Sequence, residues 1–202
     1  MDKRIYHHGD LKKELIQKGI GLLAREGYEG FSLRKLAALC NVSHAAPYRH
    51  FGSKEELISA INQEIAADFR SAFSEGASQC GHDKRKRLIG ICMQYVRFMK
   101  ENPDYFRYVF MTVHERPIVF SSADVHFEDQ THPFFIGKEL AKDYFLQLNE
   151  NDGDWAGKFL TLWSQVQGLT LLLVNRTIEY RGDYLAFAQR MIERCLNSVE
   201  KE

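Results

Sequence analysis

The sequence has little of what marks a secreted, membrane-spanning or redox-active protein. Its four cysteines show no CxxC or Cys/His ligand spacing, and no apolar N-terminal segment resembles a secretion signal. The longest apolar run, GLTLLLV at 168–174, is far shorter than the roughly 20 residues that cross a bilayer. We therefore expect reduced thiols, a cytoplasmic location and no membrane role. The cysteines are Cys40, Cys80, Cys92 and Cys195.

Catalytic and cofactor-binding motifs are lacking as well. The chain has no HExxH, GxSxG, Walker or GxGxxG pattern, and no Cys/His or Ser/His pair stands in a recognisable catalytic context. Acidic and histidine residues cluster within 114–132, but they lack the tight His spacing of zinc sites, so we expect a solvated loop there. The sequence predicts no enzyme, no metal site and no cofactor.

The net charge is zero, yet the charge is unevenly distributed. Residues 1–54 carry ten Lys/Arg and five Asp/Glu, a balance of +5, and the remaining 148 residues carry 17 and 22, a balance of −5. Four of the eight histidines also lie in the basic segment. A basic N-terminal quarter is typical of a surface that meets phosphates, and a merely solvated charged face is the alternative.

Hydrophobic patterning predicts an all-α chain of about nine helices, with a small N-terminal head and a larger helical body. Apolar residues recur at helical spacing in nearly every segment, and no segment is convincing as a strand. Asn41 can adopt the left-handed conformation that ends a helix, and Ser53 has capping-box spacing with Glu56. Short helices are therefore expected over about 32–40 and 44–51, with a longer one after Ser53.

Two short helices joined by a tight turn are typical of the helix-turn-helix motif, whose second helix enters the DNA major groove. Here the turn is 41–43, and Pro47 falls inside the predicted second helix. Near a helix start, Pro47 forfeits at most one hydrogen bond and fixes φ, so we expect it to stiffen the leading turn.

The stretch FSLRKLAALCNVSHAAPYRHFGSKEELISAI, at 31–61, resembles the DNA-binding region of the TetR/AcrR family of bacterial transcriptional regulators. The family pattern is T-hydrophobic-x-x-hydrophobic-A-x-x-A-G-V-S followed, four residues later, by Y-x-H-F-x-S-K-E. Cys40-Asn41 stands where Ala-Gly is common. Further along, NPDYFRYVF and LWSQVQGLTLLL resemble the ligand domain of a branch with a Trp-x-x-x-His-Gly element, in which Gln167 takes the His position.

The resemblance implies a homodimeric DNA-binding regulator that binds a palindromic operator and is released by a small, mainly hydrophobic effector. It implies a helix-turn-helix DNA-binding domain at 1–54 and a ligand-binding and dimerisation domain at 55–202. The last two helices are unusually apolar and would form the dimer seam. An activator, or an architectural DNA-binding protein without an effector, is the alternative.

Nine residues are predicted to contact DNA. His44 and Ala45 would meet base edges, and Arg49 is the candidate for a bidentate contact with guanine, with a phosphate contact as its alternative. The full set is Ser32, Arg34, Ser43, His44, Ala45, Tyr48, Arg49, His50 and Lys54.

Ser43 stands with His44 and Ala45 at the end of the second helix that enters the groove first, and the five remaining members are expected to hold the DNA backbone. Tyr48, His50 and Lys54 match family positions that contact phosphates, and core packing is the alternative for Tyr48 and His50. Ser32 and Arg34 lie at the start of a helix, where the N-terminus and a basic side chain attract phosphate together.

A ligand pocket in the body is predicted from aromatic and polar residues that could line a mainly apolar cavity. Plain core packing is the alternative for each of them. The predicted lining is Met93, Phe98, Tyr105, Phe106, Phe110, Trp163 and Gln167.

Overall fold

The protein is built from helices, which confirms the predicted all-α class. The structure is a computed structural model. It describes residues 8–78, 81–111, 118–121, 124–126, 134–149 and 153–201. Among these residues there are eight α-helices, one 3-10 helix and one pair of two-residue strands. None of the described helices combines the length and the hydropathy needed to span a membrane.

The elements follow one another along the chain with short connections. The α-helices are α1 His8–Gly30, α2 Leu33–Leu39, α3 Lys54–Ser78, α4 Lys84–Glu101, α5 Pro103–Met111, α6 Phe134–Leu148, α7 Trp155–Val174 and α8 Tyr184–Val199. The 3-10 helix is Pro47–Arg49, and the strands are β1 Val119–Phe120 and β2 Val125–His126.

The chain forms two compact units. The first is Met1–Ala67 with Pro103–Val113, and the second is Asp68–Asn102 with His114–Glu202. Helix α3 contributes residues to both units. The boundary at residue 54, drawn from the motif, stays a prediction about the DNA-binding segment.

In the first unit, α1 packs on α2 and α5. Two glycines inside α1 cost the helix roughly 1 kcal/mol each relative to Ala. A Cβ on Gly19 would lie 2.7 Å from Cδ1 of Ile61, and one on Gly21 would lie 3.0 Å from Oδ2 of Asp104. Both glycines therefore permit a close approach of neighbouring elements.

The helix ends in this unit are set by local hydrogen bonds. Ser32 caps α2 by accepting a hydrogen bond from the Lys35 N–H at 3.2 Å. Ser53 Oγ accepts from the Glu56 N–H at 3.1 Å, and Glu56 Oε2 accepts from the Gly52 N–H at 2.6 Å. The capping interaction predicted between Ser53 and Glu56 is thus confirmed.

The predicted α-helix over 44–51 needs a correction, because the segment contains turns and a 3-10 helix. The Ala46 N–H donates to the Ser43 carbonyl at 2.9 Å, and the His50 N–H donates to the Pro47 carbonyl at 3.0 Å. These bonds span three residues rather than four. Pro47 has no N–H for an α-helical ladder and its ring crowds the preceding turn, so the tighter form results.

The expectation that the chain has no strand was also wrong. Val119 pairs with His126 and Phe120 pairs with Val125 in an antiparallel register. Strands of two residues are too short to display an alternating pattern, so hydrophobic periodicity does not reveal them. The pair falls within the acidic and histidine segment 114–132, most of which lies outside the described residues.

In the second unit, α4 packs on α6, α7 and α8. A polar network joins three of these helices: Glu200 Oε1 accepts hydrogen bonds from Arg85 Nε at 2.8 Å and from the Tyr144 hydroxyl at 2.5 Å. Arg85 Nη2 also donates to Asn197 Oδ1 at 2.7 Å. The start of α4 is thereby fixed to the end of α8.

Asn41 has φ of 54°, the left-handed conformation predicted for it. We expect Asn41→Ala to lower the free energy of unfolding by about 1–2 kcal/mol, because a Cβ without a compensating polar group is strained there. Asn41→Gly should leave stability unchanged or slightly higher. Urea unfolding of both variants checks this, and equal stability of the Ala and Gly variants would contradict it.

Candidate functional site

The nine residues predicted to contact DNA all lie among the described residues, and all are exposed or half-buried. Tyr48 is 59% exposed, which excludes core packing as its role. Pro47 and Phe51, by contrast, are buried. The segment therefore presents polar and basic side chains outward from an apolar anchor.

Two arginines on this surface have guanidinium groups with no ion-pair partner among the described residues. Arg34, on α2, and Arg49, at the end of the 3-10 helix, are both exposed. Neither guanidinium group has a hydrogen bond or an ion pair within the part of the chain that the structure describes. Lys35 differs, because it forms an ion pair with Glu26 and donates to the Gly30 carbonyl at 2.9 Å. Arg34 and Arg49 are thus free to meet phosphates or bases.

Ser32 and Lys54 have structural contacts in addition to their predicted roles. The Ser32 hydroxyl oxygen is used as the cap of α2. Lys54 Nζ donates to the Tyr28 carbonyl at 2.6 Å and lies 4.0 Å from the centroid of the Tyr28 ring. This cation–π contact and hydrogen bond hold the start of α3 against the end of α1.

Lys12 is a basic residue of this surface that the sequence motif did not single out. It is exposed on α1, and its Nζ lies 5.6 Å from the centroid of the Phe51 ring. An ammonium group is therefore placed beside the 3-10 helix. The basic balance of the first 54 residues was the signal that could have pointed to it.

The residues predicted to line a ligand pocket are divided between the two units. Tyr105, Phe106 and Phe110 lie on α5 in the first unit, and the Tyr105 hydroxyl accepts a hydrogen bond from Gln17 Nε2 at 3.5 Å. In the second unit, Phe98 packs on Phe69 with ring centroids 4.8 Å apart. The remaining members there are Met93, Trp163 and Gln167.

The second unit contains a small, partly open apolar cavity of about 40 Å³. Phe73, Phe159 and Trp163 lie in its wall. Of the seven predicted lining residues, Trp163 alone belongs to the wall formed by the described residues. Cys92 also lines the cavity, and burial raises the pKa of its thiol to about 12, so the thiol stays protonated.

Tyr95, which the sequence reasoning missed, also lines this cavity. Its hydroxyl donates a hydrogen bond to Oε1 of Gln167. Burial raises the pKa of Tyr95 well above its usual value, so it is a neutral donor. Gln167 is thus hydrogen-bonded to a residue of the cavity wall. The sequence signal for Tyr95 was its helical spacing of four residues from Ile91, which also lines the cavity.

The comparison with known families bears on the basic surface. The family described as bacterial regulatory proteins, tetR family, matches residues 15–61, which contain α2, the 3-10 helix and the start of α3. Over this segment the chain is similar to the tetR family. Because the match ends at residue 61, the Trp-x-x-x-His-Gly resemblance further along stays a prediction.

Curated relatives of the chain include two repressors. It is 29% identical over 102 residues to the HTH-type transcriptional repressor AcnR of Corynebacterium glutamicum. This match covers 50% of this chain and 46% of the relative. It is 27% identical over 92 residues to the HTH-type transcriptional repressor KstR of Rhodococcus jostii, covering 46% and 42%. The matches thus span about half the length of these relatives.

Solved structures extend the similarity over nearly the whole chain. A TetR-like transcriptional regulator from Rhodococcus sp. RHA1 has a TM-score of 0.65 at 15% identity, over 95% of this chain and 96% of that one. A TetR family transcription regulator from Marinobacter aquaeolei VT8 has a TM-score of 0.66 at 18% identity, over 91% and 94%. At these identities the similarity shows a shared fold.

Proposed function

We propose that this tetR-family protein is a dimeric transcriptional repressor that binds a palindromic DNA operator. The observation that carries the proposal is the outward display of His44, Tyr48 and Arg49 from a segment anchored by buried Pro47 and Phe51. The relatives named as repressors support repression. Binding to chromosomal DNA accords with a cytoplasmic location.

Each exposed group has a suitable partner on DNA. His44 and Ala45 lead the segment and would meet base edges, where Ala45 can contact a thymine methyl group. The Tyr48 hydroxyl and the His50 imidazole would donate to phosphates, and Arg34 and Lys12 would add charge on either side. Backbone contacts would thus fix the register while Arg49 and His44 read the sequence.

A dimer would place two such surfaces on two half-sites. Helix α7 is apolar on several sides, and Leu160 and Leu172 remain 38% and 37% exposed on it. Apolar residues left at the surface of a mostly buried helix fit a second copy of the chain. We propose that α7 and α8 form this homodimer contact.

The effector would bind in the second unit. A small, mainly hydrophobic molecule would bind beside Trp163 and Tyr95, where the apolar cavity of about 40 Å³ would have to widen to admit it. By linkage, an effector that weakens DNA binding must be bound more weakly by the DNA complex, and by the same factor. Titration with and without operator measures both sides of this relation.

The operator hypothesis is tested by selecting sites from a random duplex pool with the purified full-length protein. We expect an inverted repeat whose half-sites are centred about one helical turn apart or a multiple of it. Sedimentation of the free protein should show a dimer. A pool that returns no inverted repeat after several rounds would refute operator recognition by a two-fold dimer.

Lys54 needs a test of its own, because its ammonium group contacts Tyr28 and is also proposed to contact a phosphate. We expect Lys54→Ala to weaken binding to all sequences alike and to reduce the salt dependence, d log K against d log [salt], by about one. Lys35→Ala is the matched control, since Lys35 is paired with Glu26 and should leave the slope unchanged. An unchanged slope in Lys54→Ala, with lower stability, would make Lys54 a structural residue only.

A further inference from the structure

A second, larger concavity lies in the second unit, between the end of α3, the start of α4 and the start of α6. It is a groove of about 660 Å³, a size that accommodates a small organic ligand. Phe73, Phe135 and Leu140 are among its apolar residues, and Arg70 and Arg87 are its basic ones. An apolar surface and two guanidinium groups therefore face the same space.

Arg87 differs from the other basic residues at the start of α4. Lys84 forms an ion pair with Asp143 at 2.8 Å, Arg85 with Glu200 at 2.8 Å and Lys86 with Asp83 at 3.5 Å. The guanidinium of Arg87 has no such partner among the described residues, although it is half-buried. Among the four consecutive basic residues 84–87, Arg87 therefore lines the groove and has no carboxylate partner among the described residues.

The same holds for Arg70, which is exposed on α3 and has no ion-pair partner in the described parts of the chain. The groove does contain one carboxylate, Glu139, but Lys138 Nζ lies 3.4 Å from its Oε1. Lys138 Nζ also lies 3.7 Å from Asp124 Oδ1, so it offsets the charge of Glu139 in part. Among the described residues that line the groove, the two guanidinium groups of Arg70 and Arg87 thus outweigh the one carboxylate.

Phe73 lies between the groove and the small apolar cavity. It lies in the wall of both, and it is 2% exposed. A molecule whose charged end contacts the arginines would thus direct its apolar part toward Phe73 and the apolar space behind it. The groove supplies the basic groups, and the cavity on the other side of Phe73 supplies apolar walls.

We propose that the groove binds an anionic amphiphile, a molecule with a carboxylate or phosphate head and an apolar chain or ring. The head is held by Arg70 and Arg87, whose planar guanidinium groups suit bidentate contact with either anion. The apolar part lies against Phe135, Leu140 and Phe73. The inference rests on the proposed effector-binding function, and it assigns the chemical class of the effector.

The test is calorimetric titration of the full-length protein, without DNA, with four probes that share one octyl chain: octanoate, octyl phosphate, 1-octanol and octylamine. We expect at least one of the two anions to bind, and the alcohol and the amine to bind at least tenfold more weakly. The ratio between octanoate and octyl phosphate tells which head the site prefers. Equal affinity for 1-octanol and both anions, or no binding of either anion up to 1 mM, would overturn the proposal.

Variants locate the site. The double variant Arg70→Gln/Arg87→Gln should weaken binding of the preferred anion at least tenfold and leave 1-octanol unchanged. Arg97→Gln, an exposed arginine on α4 outside the groove, is the matched control and should change neither. Unchanged anion affinity in the double variant refutes this site. Operator selection is measured separately. If the protein selects DNA sites but binds neither octanoate nor octyl phosphate, this inference alone fails. If it binds one of these anions but selects no DNA site, only the DNA proposal fails.

Discussion

Replacing Phe51 by Ala should lower the free energy of unfolding by about 3–5 kcal/mol, the usual cost of removing a fully buried phenylalanine side chain. Phe51 is 2% exposed, and its N–H donates to the Pro47 carbonyl at 3.0 Å. The 3-10 helix is too short to hold itself together, since it closes few hydrogen bonds. Its geometry depends on this anchor. Urea unfolding of the full-length protein, followed by circular dichroism, measures the loss.

The matched control for this prediction is Tyr48→Ala. Tyr48 lies three residues earlier in the same segment but is 59% exposed, so its removal should change stability by no more than about 0.5 kcal/mol. The two variants separate the anchor from the displayed surface. A loss of less than about 1 kcal/mol in Phe51→Ala would mean that the segment does not depend on its buried side chain.

Features with a local cause could be predicted from the sequence. The cap at Ser53 follows from spacing to Glu56, and the left-handed Asn41 follows from the few residue types that tolerate positive φ. The exposed face of 43–50 followed from the family motif. In each case the information lies within a few residues of the feature.

Features with a tertiary cause could not be predicted in this way. The sequence grouped Tyr105 and Phe106 with Trp163 in a ligand pocket; α5 belongs to the first unit and Trp163 to the second, and this pocket stays a prediction. Aromatic residues at helical spacing show that a face is apolar, but not which neighbour it meets. Lys54 was assigned by motif to phosphate, and its Tyr28 contact lies 26 residues away in the chain.

The form of the 3-10 helix lies between these cases. Pro47 was expected to stiffen the first turn of an α-helix, because one lost hydrogen bond near a helix start is inexpensive. The segment is so short that the missing N–H falls in its middle, and the three-residue bonds at Ala46 and His50 replace the α-helical ladder. Pro47 was thus identified correctly as the residue that sets the conformation of this segment, whereas its effect on the hydrogen-bond pattern depended on the length of the segment.

Arg49→Ala is expected to have the largest effect on sequence recognition. Arg49 is exposed at the end of the 3-10 helix, and its guanidinium has no partner among the described residues, so it is free to bind O6 and N7 of a guanine. Losing that contact should weaken operator binding and reduce the preference for one base pair by about 1–3 kcal/mol. Binding to operators with each of the four base pairs at that position measures the change.

Arg34→Ala is the matched control for Arg49→Ala, since Arg34 is also exposed and unpaired among the described residues but stands at the start of α2, where phosphate is the expected partner. It should weaken all four operators equally and reduce the salt slope by about one. If Arg49→Ala behaves in the same way, and its selected sites keep the base preferences of the unmodified protein, Arg49 holds a phosphate. Reading of the sequence would then fall to His44 and Ala45 at the start of the segment.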